Sequence, residues 1–296
     1  MWKKVKIQGG RKMKKFLGVM LGVWIVGISS FGYAFTLPGG IPFQAKFNNF
    51  EWLNMGYFAN PPSSPETWTG LADGVEDNWG IAYVTTIEDT SILPNQEVWP
   101  PDGSNEEITV IFYGLDIDEI KWYSSTLVGV YMKPLSSGAY LEVWAQDPGN
   151  FTLGSTSNRS GAYPGNIYPT VTDGTLLFKA QFNPGVIPGD NIHIVSVNHN
   201  LDTNIGSGLG YLDVVPGAGS SWALFDSNTI VDNNGNYHDF SMQFNFNPSE
   251  HTDLGWILDS YDPIRGFTTP EPTTMLLLGS GILGLLGMAG IRRKKA

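Results

Sequence analysis

The 296-residue chain contains no cysteine. That excludes disulfides, thiolate metal sites and a cysteine nucleophile, so packing and hydrogen bonding must hold the fold together. Positive charge is also scarce: 17 Lys and Arg stand against 28 Asp and Glu. Seven of the basic residues precede Phe35 and four follow Ile291. Only Lys46, Lys121, Lys133, Arg159, Lys179 and Arg265 therefore share the middle of the chain with the 28 acids, a net charge there of about −22. Such a surface repels nucleic acid and anionic lipid and attracts cations or basic partners. Helical patterning is missing from the same stretch, where no segment of helical period reaches ten residues. So are the HExxH, GxSxG and glycine-rich phosphate-loop sequences that mark common enzymatic sites.

The two ends supply what the middle lacks. After "MKKF" at Met13 to Phe16 an apolar segment runs from Leu17 to Ser30 and closes on Gly32-Tyr33-Ala34. A basic start, an apolar centre and small residues at the −3 and −1 positions describe a secretory signal peptide, expected over residues 1–34 with cleavage after Ala34. Met1 to Lys12 adds a basic extension, which leaves Met13 as an alternative start.

At the other end, nineteen uncharged residues lie between Thr273 and Ile291. A helix of that length, rising about 1.5 Å per residue, just crosses a hydrocarbon core of about 30 Å. The four residues that follow, Arg292, Arg293, Lys294 and Lys295, read as a stop-transfer tail held on the cytoplasmic side. A buried core helix would not be followed at once by four cations. Ahead of the span stands Pro270-Glu271-Pro272, an extended, proline-stiffened sequence placed just outside the bilayer.

Between the ends, residues 35–268 read as one all-β body. Short alternating or apolar runs separated by Gly, Pro, Asn and Asp predict strands at 41–50, 79–87, 107–115, 126–132, 139–147, 174–182, 191–199, 210–215, 238–246 and 255–261. Ten strands without a fixed repeat point to an antiparallel β-sandwich or jelly roll. The loops at 60–66 ("NPPSSPE") and 148–170 are rich in Pro, Gly and Ser and are expected to be the mobile surfaces.

Candidate chemistry in the body is sparse. His193 and His199, six apart on one predicted strand, stand about 20 Å from each other and cannot share a metal. "VDNNGNYHD" (231–239) places Asp232, Asn234 and Asn236 at positions 1, 3 and 5 of a calcium loop. Tyr237 then falls where Gly is required and Gln243 where a bidentate Glu is required. The Asn-Gly pair in it is also a hairpin signal, the favoured reading. "DIDE" (116–119) and "DGVEDN" (73–78) are further weak calcium candidates, more naturally solvated turns. Eight tryptophans lie in the body. Most read as core, whereas Trp68 and Trp99 fall in predicted loops and are candidates for stacking on sugars.

The order of Pro270-Glu271-Pro272, apolar segment and basic terminus resembles the PEP-CTERM sorting signal of exopolysaccharide-producing Gram-negative bacteria. The resemblance implies export through the Sec machinery, removal of the leader by signal peptidase and transient anchoring in the inner membrane. A membrane-embedded exosortase is then implied to cut near Pro270-Glu271-Pro272, in the segment 269–296. A second resemblance, to flocculation-associated PEP-CTERM proteins, covers "DNWGIAYVTTI" (77–87), "ITVIFYGL" (108–115), "YPTVTDGTLLFKAQF" (168–182) and "GYLDV" (210–214) followed by "FDSN" (225–228). It implies a cell-surface or matrix protein that associates with extracellular polysaccharide in flocs or biofilm, without catalysis and without a cofactor. Two alternatives stay open: a polysaccharide-active enzyme, which needs a pair of facing carboxylates among the 28 acids, and a calcium-dependent carbohydrate-binding module.

Overall fold

The computed structural model describes residues 40–99, 106–160 and 167–268. The leader (1–34), Pro270, Glu271 and Pro272, the apolar segment 273–291 and the tail Arg292, Arg293, Lys294 and Lys295 lie outside the described residues. Among the described residues no helix is long and apolar enough to cross a membrane.

Fourteen strands are formed: β1 (Pro42–Leu53), β2 (Glu66–Thr69), β3 (Asn78–Asp89), β4 (Gln96–Trp99), β5 (Glu107–Trp122), β6 (Leu127–Pro134) and β7 (Tyr140–Gln146), then β8 (Thr175–Asn183), β9 (Val195–Asn200), β10 (Ile205–Val214), β11 (Ile230–Val231), β12 (Tyr237–His238), β13 (Phe240–Pro248) and β14 (Leu258–Phe267). All pairings are antiparallel. The body is all-β, as its alternating pattern predicts. Where a sandwich would leave open edges, this sheet closes on itself: β3 pairs β5, and the path runs on through β7, β8, β10, β13, β14 and β1 back to β3. A second path leaves β5 through β6 and β9 and returns at β10.

Two strands make this closure by changing partners along their length. β5 pairs β7 from Glu107 to Tyr113 and β6 from Leu115 to Trp122. The change falls at Gly114, whose φ of +85° suits glycine and whose missing Cβ would stand 2.4 Å from the carbonyl oxygen of Gly138. β10 makes the corresponding change between β9 and β8. Short of that change, which falls between Gly210 and Tyr211, Gly208 lets the Phe244 ring of β13 lie against the backbone, in space a Cβ would occupy at 2.1 Å. A closed sheet leaves few unpaired edge groups, which suits a chain that has no disulfides to hold it.

β1 shows how sequence dictates the interior. Phe43, Ala45, Phe47, Asn49, Glu51 and Leu53 alternate inward with period two and are all buried. Phe43, Ala45, Phe47 and Leu53 join residues from the other strands in one large core. Toward the end of β1, the inward positions turn polar.

A second, smaller core lies on the outer face of β3 and β5. Trp79, Ile81, Ile111 and Tyr113 point away from the main core and are covered by Tyr168, Val171 and Trp256. Double-sided burial explains why β5 reads as an unbroken apolar run. Val171 follows the loop predicted to be mobile and Trp256 lies far from it in sequence, but Tyr168 belongs to that loop. Its described parts, 148–160 and 167–170, lie on the sheet instead. The Trp256 indole N–H donates to the Gly154 carbonyl at 2.8 Å, and Thr109 Oγ1 and Gln146 Nε2 both donate to the Val171 carbonyl, at 2.7 and 2.6 Å. The predicted loop at 60–66 ends in an edge strand, β2, paired to the far end of β5.

The chain enters and leaves the body at one rim. Thr268 N–H donates to the Ile41 carbonyl and Gly40 N–H to the Thr268 carbonyl, each at 2.9 Å. Ile41 N–H also donates to Thr268 Oγ1 at 3.0 Å.

Candidate functional site

The covering loops leave a cleft on each side of the second core. Successive outward residues of β1 border them, because residues two apart on a strand share a face. One cleft, of about 430 Å³, is polar and lined by Asn48, Asn49, Phe50 and Ser260 together with Tyr83, Asn247, Pro248, Glu250, His251 and Asp259. Its walls are tied together: Asn48 Nδ2 donates to the Tyr83 hydroxyl, and Glu250 N–H donates to Asp259 Oδ2 at 3.1 Å. The other Asp259 oxygen is buried and unbonded. Phe50 packs edge-on against His251, with ring centres 5.5 Å apart.

The second cleft, of about 680 Å³, is lined by Trp52 and Trp79, by the small polar side chains of Ser136, Ser137 and Thr156, and by Glu76 and Arg159. Arg159 fixes its wall. Its guanidinium lies 4.4 Å from the Trp79 ring centre and forks onto Glu76, with Nη2 to Oε1 at 3.2 Å. A planar, bidentate, stacked arginine is rigid, because one orientation satisfies both the carboxylate and the ring face. Trp52 is half-buried, so part of its ring faces the cleft. Nothing in the sequence separated Trp52 from the core tryptophans. Its outward position follows from the alternation of β1, in which the odd-numbered residues point inward.

The interior holds the most perturbed acid. Glu51 sits beside Asn78 and His199 on a cavity of about 30 Å³ enclosed by apolar side chains. That is room for one or two waters and for no larger ligand. Burial pushes the Glu51 carboxyl up to about 7, against the opposing effect of hydrogen bonds from Asn78, Ser260 and Asn49, while the Asp259 charge adds to the rise. A second pair of acids meets where the two predicted turns "DGVEDN" and "DIDE" come together. Asp77 and Asp116 are both buried. Burial, partly offset by the Gly74 N–H and reinforced by the charges of Asp77 and Asp73, raises Asp116 to about 6. Asp77 accepts from Asn54 Nδ2 at 2.8 Å and from Ile117 N–H at 3.0 Å.

The sequence-predicted residues fall as follows. Trp99 is 5% exposed and faces the main core. Trp68 lies in β2, half-buried, with its ring edge-to-face on Trp122 at 5.1 Å. Only Trp68 of that pair offers part of its surface to solvent, and the two do not form one platform. Asp232, Asn234 and Asn236 form the turn between β11 and β12, the hairpin expected from Asn-Gly. Asp232 Oδ1 accepts the N–H groups of Asn234 and Asn236 at 2.8 and 2.7 Å. Its Oδ2 accepts from Asn236 Nδ2 at 2.9 Å and faces His238 Nε2 at 3.3 Å. Asn234 Oδ1 accepts the Gly189 N–H at 2.6 Å. Hydrogen-bond donors face these oxygens, and they link the hairpin to the loop after β8. Among the described residues no three acidic or histidine side chains converge to hold a metal ion. His193 stands before β9, between Asp190 and Asp118, whereas His199 is buried in β9.

Residues 268–294 match the PEP-CTERM protein-sorting motif. The match starts at Thr268, which is hydrogen-bonded to the start of β1 and ends the described residues. The motif makes the chain an exported substrate of exosortase-dependent sorting, with exosortase as its processing partner. No curated protein and no solved structure matches the chain.

Proposed function

We propose that this is a non-enzymatic protein of the cell surface or extracellular matrix of a Gram-negative bacterium, which associates with exopolysaccharide in biofilm or flocs. Sec carries it out, signal peptidase removes residues 1–34, and the apolar segment holds it in the inner membrane until exosortase cuts near Pro270-Glu271-Pro272. The observation that carries this reading is the sorting motif beginning directly at the end of a closed, acidic β body. A discarded anchor follows the same logic as the C-terminal signal of a GPI-anchored protein. No cofactor is needed for such a role.

The Trp52 cleft supports polysaccharide contact. A part-exposed indole beside serine and threonine hydroxyls and a fixed Arg159–Glu76 pair combines a stacking face with orienting polar groups, the composition of a sugar site. Trp68 offers a second, separate contact. A Trp52→Ala protein is expected to lose most of its retention on the native exopolysaccharide, about ten-fold if one stacked ring of 1–2 kcal/mol is removed. Affinity electrophoresis in polysaccharide gels reads this directly, and unchanged mobility would count against the contact. Cells lacking the protein are expected to settle more slowly at unchanged growth rate.

The polar cleft favours one rival reading, polysaccharide cleavage by Glu250 and Asp259, which requires two carboxyl groups flanking the bond. That reading predicts new reducing ends when the protein is incubated with the polysaccharide; the binding role predicts none.

A further inference from the structure

The rim where the chain leaves the barrel carries a built apolar tip. Strand β3 ends beside the start of β1, with Asp89 opposite Phe43, and Thr90 N–H donates to the Pro42 carbonyl at 3.0 Å. Pro42 in turn lies opposite Phe267, the last residue of β14. The turn from β3 into β4 therefore sits one strand away from Thr268, where the sorting motif begins. Asp89 Oδ1 holds this turn, accepting Ser91 N–H at 2.8 Å and Ser91 Oγ at 2.6 Å. Its next two residues point to solvent: Ile92 is 48% and Leu93 90% exposed. Leu93 is the most exposed large apolar side chain among the described residues.

We propose that the Ile92–Leu93 tip is a membrane-contact surface, seating this rim of the barrel on the outer face of the lipid bilayer while the C-terminal segment is still attached. The proposal rests on the anchored precursor described above. From Thr268 to Thr273, where the apolar segment begins, there are five residues, which reach at most about 18 Å when fully extended. The exit rim is thus held within about 18 Å of the hydrocarbon core, whereas the opposite rim lies the length of β1 away, 12 residues or about 40 Å. Exposed apolar side chains at that far rim, such as Leu127, are out of reach. An acidic body draws no electrostatic help from anionic lipid, so the contact is apolar and depends on the tether. Two side chains do not hold a protein on a membrane by themselves. The contact orients the body for cutting and releases it afterwards.

The absence of native cysteine allows a direct test. Precursor carrying Leu93→Cys or Leu127→Cys is purified from cells that lack the processing enzyme. It is labelled with an environment-sensitive fluorophore and reconstituted into phosphatidylethanolamine–phosphatidylglycerol vesicles. Both variants are expected to float with the vesicles. The label at 93 should shift to the blue and lose intensity when nitroxide lipid is included, and the label at 127 should do neither. Floating protein whose label at 93 behaves like that at 127 overturns the tip contact and leaves the anchor standing. Protein that does not float at all overturns the anchor reading, and the tip contact falls with it.

Discussion

Glu51 is a carboxyl group placed by strand alternation in a mostly apolar interior, with Asn49, Asn78 and Ser260 as hydrogen-bond partners. Its folded value of about 7 lies above the ordinary 4.5. The folded state therefore holds a proton that the unfolded state has already lost. The resulting stability is fully present below pH 4.5 and disappears as pH rises through about 7. Asp116, raised from 3.8 to about 6, acts in the same direction between those two values. The body should accordingly be more stable in mild acid than in mild alkali, the reverse of a protein whose carboxylates are ion-paired. A Glu51→Gln protein keeps the shape and lacks the charge. It should be more stable than the parent at pH 8 by roughly 1–3 kcal/mol, or about 2–12 °C in Tm, and nearly equal to it at pH 4. Thermal denaturation at the two pH values measures this; an equal effect at both would show that the charge is not the cause.

At the scale of elements, the outer cover of β3 and β5 is the feature on which both clefts depend. Trp256 is its keystone: it is fully buried, bonded to Gly154, and in ring contact with Trp79 at 5.2 Å and Tyr168 at 6.2 Å. Trp256→Ala should cost about 3–5 kcal/mol. It should also release the 148–160 segment to protease, while the closed barrel remains folded and retains its far-ultraviolet signal. Urea unfolding and limited proteolysis separate the two effects. The strands themselves were legible. All ten predicted from alternation are present, because period-two burial is local in the sequence. The short strands β2 and β4 were not, since four residues become a strand only through a neighbour far along the chain. What the covering loop packs against was not legible, because Pro, Gly and Ser say where a chain turns and nothing about what lies beneath it. Its bonds run from Thr109 to Val171 and from Gly154 to Trp256. Trp99 misled for a related reason: it stood next to turn residues, yet it ends β4 with its ring turned inward.

For the whole molecule, the closed sheet and the common rim for entry and exit join folding to sorting. Thr268 belongs to both, bonded to Ile41 and Gly40 just before β1 and standing first in the matched motif. The proposed cut near Glu271 would remove the apolar segment and basic tail beyond the end of β14 at Phe267. The sorting signal was fully legible in the sequence because its order of proline-bracketed glutamate, apolar segment and cations is linear. The clefts were not, because they are assembled from β1, β3, β13, β14 and four loops. Mass spectrometry of the protein recovered outside the cell, beside cells lacking exosortase, tests the account most directly. The account predicts a released species beginning near Phe35 and ending near Glu271 from the parent strain, and an uncut, membrane-held form from the other. Extracellular protein that still carries residues 273–296 would contradict it.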